Sequence, residues 1–166
     1  LAELAFAQWN TARLRAAGAV EFGAAHYPLM VALHTFWLLA LWMAGHARDV
    51  DPFWLAVFVL LQLARLWIIA TLGRRWTTRV IVRLGTAPVK RGPYRFVRHP
   101  NYAIVIAELF VLPLAHTAWI TCAVVSTLNA LVLWRRIPAE ERVLSSLPGY
   151  AEAMGQKPRF VPKLHA

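Results

Sequence analysis

Cysteine, acid and charge of any kind are scarce in this chain. Its 166 residues include one cysteine, Cys122, which excludes an internal disulfide and any zinc site built on cysteine pairs. Cys122 sits in an apolar run and reads as inert packing. Only 8 residues are acidic, and none combines with histidine at a metal-ligand spacing, so no metal centre is expected. Charged residues make up 16% and apolar residues 59%, against roughly 25% charged in an ordinary soluble domain. That balance excludes a disordered chain and argues against a soluble fold. Nucleic-acid binding needs a soluble basic surface, and none is in sight. Internal repeats and low-complexity tracts are also missing.

What is present is 8 Trp, a mean hydropathy of +0.49 and 18 Lys and Arg for a net charge of +10. A chain so apolar and so basic must separate the two characters along its length. The expected fold is an all-α integral membrane bundle of at least four spans, multi-pass. Tyr27–Gly45 is an apolar run of nearly pure membrane length. Pro52–Gly73 is a second, interrupted by Gln62 and Arg65. Asn101–Leu112 and Thr117–Trp134 form a hairpin, with a bend expected at Pro113. The basic residues cluster between the second and third spans and after the fourth; Arg48 alone marks the opposite side. The basic face is therefore assigned to the cytoplasm, in contact with anionic membrane lipid. Residues 1–17 carry a helical pattern closed by Gly18, readable as the end of an earlier span. Because the chain opens on Leu1, an upstream segment is expected. Residues 1–83 would hold the first helix and two spans, and 84–166 the chemically rich half of one membrane domain.

Two basic stretches carry more than topology demands. Gly85–Tyr102, GTAPVKRGPYRFVRHPNY, adds a Gly-Pro step, two Tyr and a His-Pro step, which fix a particular backbone shape. Pro100 suits the first turn of the third span. His99 and Arg98 stand beside its free N–H groups, where an anionic ligand group is favoured. In Arg135–Pro162, Pro138 is expected to open a short helix with Glu140 and Glu141 in its first turn. Capped helix starts at an interface would account for both patterns equally well.

Gly92-Pro93-Tyr94, Arg98-His99-Pro100-x-Tyr102, Glu140-Glu141-x-x-Leu144, Tyr150 and Pro158-Arg159-Phe160-Val161-Pro162 together resemble the isoprenylcysteine carboxyl methyltransferase family. These are membrane enzymes that use S-adenosylmethionine and are related to phospholipid methyltransferases. The resemblance covers about residues 84–162. It implies a cytoplasmic cofactor pocket walled by Thr86, Ala87, Pro88, Val89, Tyr94, His99, Pro100, Asn101, Tyr102 and Glu140, and that Arg136 contacts substrate. Two departures stand out: the family's usual Gly after the motif Tyr is Ile104, and the second Tyr of its usual Tyr-x-x-Tyr is Ala153.

Methyl transfer to oxygen is an in-line displacement that needs alignment and exclusion of water. An ionised carboxylate acceptor needs only a guanidinium to orient it, the role given to Arg136. A phenol or enol would also need a base, for which His99 and Glu141 are the candidates. O-methylation of a lipophilic small molecule or prenylcysteine ranks first and phospholipid N-methylation second; a polyketide-type acceptor fits the same architecture. An NADPH-dependent sterol-type reductase carries a similar His-Pro step, but its usual Tyr-x-Gly-Glu reads Tyr102-Ala103-Ile104-Val105 here. A non-enzymatic membrane scaffold is the alternative from another class. Finally, Arg65 and Glu108 lie inside spans at similar depth, roughly 13 and 12 Å at 1.5 Å per residue, and are expected to pair.

Overall fold

The computed structural model describes residues 2–45 and 49–162. Helices dominate: α1 (Ala2–Ala16), α2 (Tyr27–Gly45), α3 (Pro52–Leu72), α4 (Pro100–Ala115), α5 (Trp119–Leu144) and the short α6 (Tyr150–Met154). The only regular β structure among the described residues is a two-stranded antiparallel ladder, β1 (Val20–Phe22) on β2 (Val80–Val82), with Glu21 opposite Ile81. Arg48, the lone marker of the sparse side, falls outside the described residues.

Three helices are long and apolar enough to cross a membrane, within Tyr27–Ala44, Pro52–Arg75 and Trp119–Ser145. They turn large apolar side chains outward: Ile120 is 82% exposed, Trp42 68%. Such a surface suits lipid rather than water. α4 differs. Its 16 residues rise roughly 24 Å, short of the ~30 Å hydrocarbon thickness. Packed between α3 and α5, it buries Tyr102, Val105, Glu108, Leu109 and Val111. Trp37 of α2, Val105 and Leu109 of α4 and Val125 of α5 make the core that joins three helices.

Local chemistry explains the helix ends. Asp51 caps α3 by accepting hydrogen bonds from the Phe53 and Trp54 amides at 2.9 and 3.4 Å, with Pro52 in the first turn. At the other end, Asn10 of α1 is fully buried and its side-chain amide donates to the carbonyls of Gly73 and Trp76, at 3.1 and 2.9 Å. α1 is thus a clasp on the end of α3, seated through Ala7, Ile68 and Trp76.

Two proline expectations need correction. The α4–α5 turn does not fall at Pro113, which remains inside the last turn of α4; the chain reverses at His116–Ala118. Nor does Pro138 open a new helix. α5 runs unbroken through it for 26 residues, roughly 39 Å. A proline costs one backbone bond inside a helix, and side chains beyond it hold this extension to the rest of the protein, as described next.

Candidate active site

The α3–α4 connection, the end of α5 and one face of α2 enclose a cavity of about 750 Å³. That lies within the ~300–1,000 Å³ usual for small-molecule sites. Gly92 begins the turn that builds its wall. Its φ is +56°, and a Cβ there would collide with the Thr71 side chain. Glycine therefore lets the Gly92–Arg95 turn press against α3, where it buries Pro93 and presents Tyr94. Arg75 pins the preceding loop by donating to the Ala87 carbonyl at 2.8 Å.

Thr86, Ala87, Pro88, Val89, Tyr94, His99, Asn101, Tyr102, Arg136 and Glu140 all line this one cavity. Tyr102 is the hinge of its polar wall. The phenol donates to the Glu140 carboxylate and accepts from Arg136 Nε at 2.7 Å. Arg136 is 9% exposed, and its second anchor is the Thr78 carbonyl at 3.3 Å. Glu140 and Arg136, one turn apart on α5, are thus joined across a residue of α4. These bonds help carry α5 past Pro138.

Pro100 and Glu141 are the two expected site residues that do not line the cavity. Pro100 is buried as the first residue of α4. Glu141 sits behind the wall, within 3.0 Å of His99 Nε2, 2.7 Å of Arg159 and 3.3 Å of Arg98. A carboxylate so occupied is not placed to take a proton from a molecule in the cavity. His99 is 4% exposed and gives Nε2 to Glu141, so that nitrogen is also spent.

Two tyrosines of the cavity wall, Tyr94 and Tyr150, have surroundings that favour the protonated phenol. Burial, with the Glu140 charge adding to it, pushes the Tyr94 phenol far above its ordinary range. Burial, aided by Glu141, raises Tyr150 to about 12. Asn101 Oδ1 is a buried acceptor without a partner, and it belongs to a residue of the wall. A ligand rich in N–H donors, with an aromatic base and a charged amino-acid portion, fits this combination of aromatic wall, orphan acceptor and carboxylate. S-adenosylmethionine is such a ligand.

Several wall residues were missed in the sequence. Tyr27, Met30, Val31, His34 and Leu38 form a stripe of α2 facing the cavity. That helix is apolar around its whole circumference, so no periodicity separates this face from the lipid face. Leu147 and Met154 contribute from the far end, packed with Tyr150 and Val82. Of the two departures, Ile104 turns toward the Ala7–Ile68–Trp76 cluster and Ala153 packs beside Tyr150 and Met154. Neither lines the cavity.

Deeper along the bundle, the expected intramembrane pair is present. Arg65 Nε donates to Glu108 Oε1 at 2.9 Å, and a second guanidinium nitrogen meets Oε2. Gln62 also donates to Oε1, at 2.8 Å, and Glu3 of α1 stands 3.4 Å from the guanidinium. Arg65 and Glu3 line the cavity as well.

The fold and the cavity together define a helical membrane protein with an aromatic, partly polar cavity. A family model described as isoprenylcysteine carboxyl methyltransferase (ICMT) matches residues 54–146. The chain is also 38% identical over 148 residues to the uncharacterized protein YpbQ of Bacillus subtilis, covering 86% of this chain and 88% of that one. The chain belongs to the isoprenylcysteine carboxyl methyltransferase family, a family of membrane methyltransferases.

Proposed function

We propose that this protein is an S-adenosylmethionine-dependent O-methyltransferase acting at the membrane on a lipophilic acceptor. The observation that carries the reading is convergence. Residues 86–89, 94, 99, 101 and 102 meet residues 136 and 140, far from them in sequence, on one cavity in a chain of this family. When bound, S-adenosylmethionine supplies an electrophilic methyl group on a sulfonium. Asn101, with its unpartnered oxygen, and Glu140, with its carboxylate, are the residues proposed to take the cofactor's N–H groups. His99, Tyr94 and Tyr102 shape the wall and keep water out. Arg136 orients the acceptor oxygen. Tyr102 and Thr78 fix two of its nitrogens, leaving the other terminal nitrogen for an anion.

The mouth supports an oxygen acceptor over an ammonium. Arg74, Arg75 and Arg83 line the cavity, and no carboxylate lies within ion-pair distance of them among the described residues. Such a surface attracts anions and repels an amine headgroup. In the same reading α4 is a short fourth span, and both Gly85–Tyr102 and Arg135–Pro162 face the cytoplasm. The stripe of α2 then gives a lipophilic tail an apolar wall along which to enter.

Equilibrium binding of S-adenosylmethionine and of NADPH to detergent-purified protein tests the proposal. Binding of the first alone is expected; binding of neither, or of NADPH, refutes it. Arg136→Ala should abolish turnover with cofactor affinity largely intact, whereas Glu140→Gln should weaken cofactor binding itself. Normal turnover by Arg136→Ala at saturating acceptor would remove its assigned role.

A further inference from the structure

The segment after α6 touches the cavity wall from behind at every level, yet lines none of the cavity between Lys157 and Phe160. Lys157 Nζ donates to the Tyr94 carbonyl at 2.8 Å. The amides of Arg98 and His99 donate to the carbonyls of Pro158 and Arg159, each at 2.9 Å. Arg159 grips Glu141 with two nitrogens, Nε to one carboxylate oxygen at 3.1 Å and a terminal nitrogen to the other at 2.7 Å. Phe160 packs on the Tyr102–Leu133–Ile137 cluster. Backbone bonds, a forked ion pair and an apolar anchor therefore tie one short segment to Tyr94, His99 and Tyr102 together.

The centre of this arrangement is Glu141. A carboxylate can only accept, so the proton on His99 Nε2 points at Glu141 Oε1 across 3.0 Å. That fixes the ring's orientation and leaves Nδ1 as the nitrogen His99 can offer a ligand. The groups facing this ring and carboxylate are Arg98, Arg159 and, across the Tyr102 phenol 5.5 Å from the imidazole, Glu140. Without the Arg159 side chain, Glu141 loses the partner that holds both of its oxygens, and the backbone bonds from Arg98 and His99 to this segment lose the ion pair that reinforces them.

We propose that residues 157–160 act as a strap, latched by Arg159 on Glu141, that holds His99 in the orientation and tautomer the cofactor requires. Glu141 and Arg159 are positioning residues: they act through His99 and touch neither cofactor nor acceptor. The inference rests on the reading of the cavity as an S-adenosylmethionine site, and it replaces a base role for Glu141 with a supporting one.

The test combines calorimetric S-adenosylmethionine binding with amide hydrogen exchange on the full chain in detergent. Arg159→Ala should weaken binding at least tenfold and speed exchange at the Arg98 and His99 amides. Arg159→Lys should recover only part of the affinity, because an ammonium cannot bridge both carboxylate oxygens. By reciprocity, S-adenosylmethionine added to the wild-type protein should slow exchange at the same two amides. That measurement needs no variant and stands even if Arg159→Ala fails to fold. Wild-type affinity in Arg159→Ala, or exchange at Arg98 and His99 indifferent to bound cofactor, overturns the strap while leaving the cofactor site intact. A wild-type protein that does not bind S-adenosylmethionine overturns the reading and the strap together.

Discussion

Breaking the Arg65–Glu108 pair one side at a time should reveal an asymmetry that the surrounding residues impose. Glu108 and Arg65 side chains are 8% and 15% exposed, so each charge depends on the other rather than on water. Removing one partner of such a pair typically costs roughly 3–5 kcal/mol, because the survivor is left buried and uncompensated. The survivors here are unequally provided for. After Glu108→Gln, Arg65 still has Glu3 at 3.4 Å, so the loss should fall near the lower end, about 3 kcal/mol. After Arg65→Gln, the Glu108 carboxylate keeps the Gln62 amide but no cation in contact, and the loss should approach about 5 kcal/mol. The double variant strands neither charge and should recover at least about 1 kcal/mol of the summed losses, beyond the ~0.5 kcal/mol scatter of independent sites. Denaturant unfolding of the four proteins in one detergent provides the cycle. Additive losses would refute the pairing; a Glu108→Gln loss larger than that of Arg65→Gln would refute the part played by Glu3.

Gly92→Ala should destabilise the protein by about 1–2 kcal/mol for the left-handed backbone alone, with a further steric cost against Thr71. Adding Thr71→Ala should relieve the steric part only, which thermal unfolding of the single and double variants checks. Glu21 links β1 to Arg79 and Arg15. Burial alone would raise its carboxyl, but hydrogen bonds from Arg79 and Arg15 outweigh burial and hold it below the ordinary 4.5. A depressed folded-state value gives stability present above pH 4.5 and lost as pH falls through the lower value. Glu21→Gln should therefore lower stability at neutral pH and flatten the acid limb of the stability curve; an unchanged acid limb refutes the linkage.

What the sequence made legible, and what it hid, divides along a physical line. Hydropathy and the prolines at positions 52 and 100 mark the starts of α3 and α4 because those signals are local. Depth along a regular helix is equally local arithmetic, and it was enough to bring Arg65 to Glu108. Pro138 misled because the rule that proline opens helices counts one backbone bond. It cannot count the Arg136–Tyr102–Glu140 and Glu141–Arg159 contacts that keep α5 going. The β1–β2 ladder joins two three-residue strands nearly sixty residues apart, too short for alternation to register. The α1 clasp was hidden for a different reason. The helical pattern of residues 1–17 gives Asn10 no role, and its amide is found closing two carbonyls at the end of α3. Asn10, Arg65 and Glu108 share a feature: each is polar where its helix buries apolar neighbours. In a chain this apolar, a buried polar side chain left wholly unbonded is costly, and each of these three is bonded across to another element. A residue that breaks the pattern therefore marks a joint between elements, and the pattern alone cannot name the element on the other side.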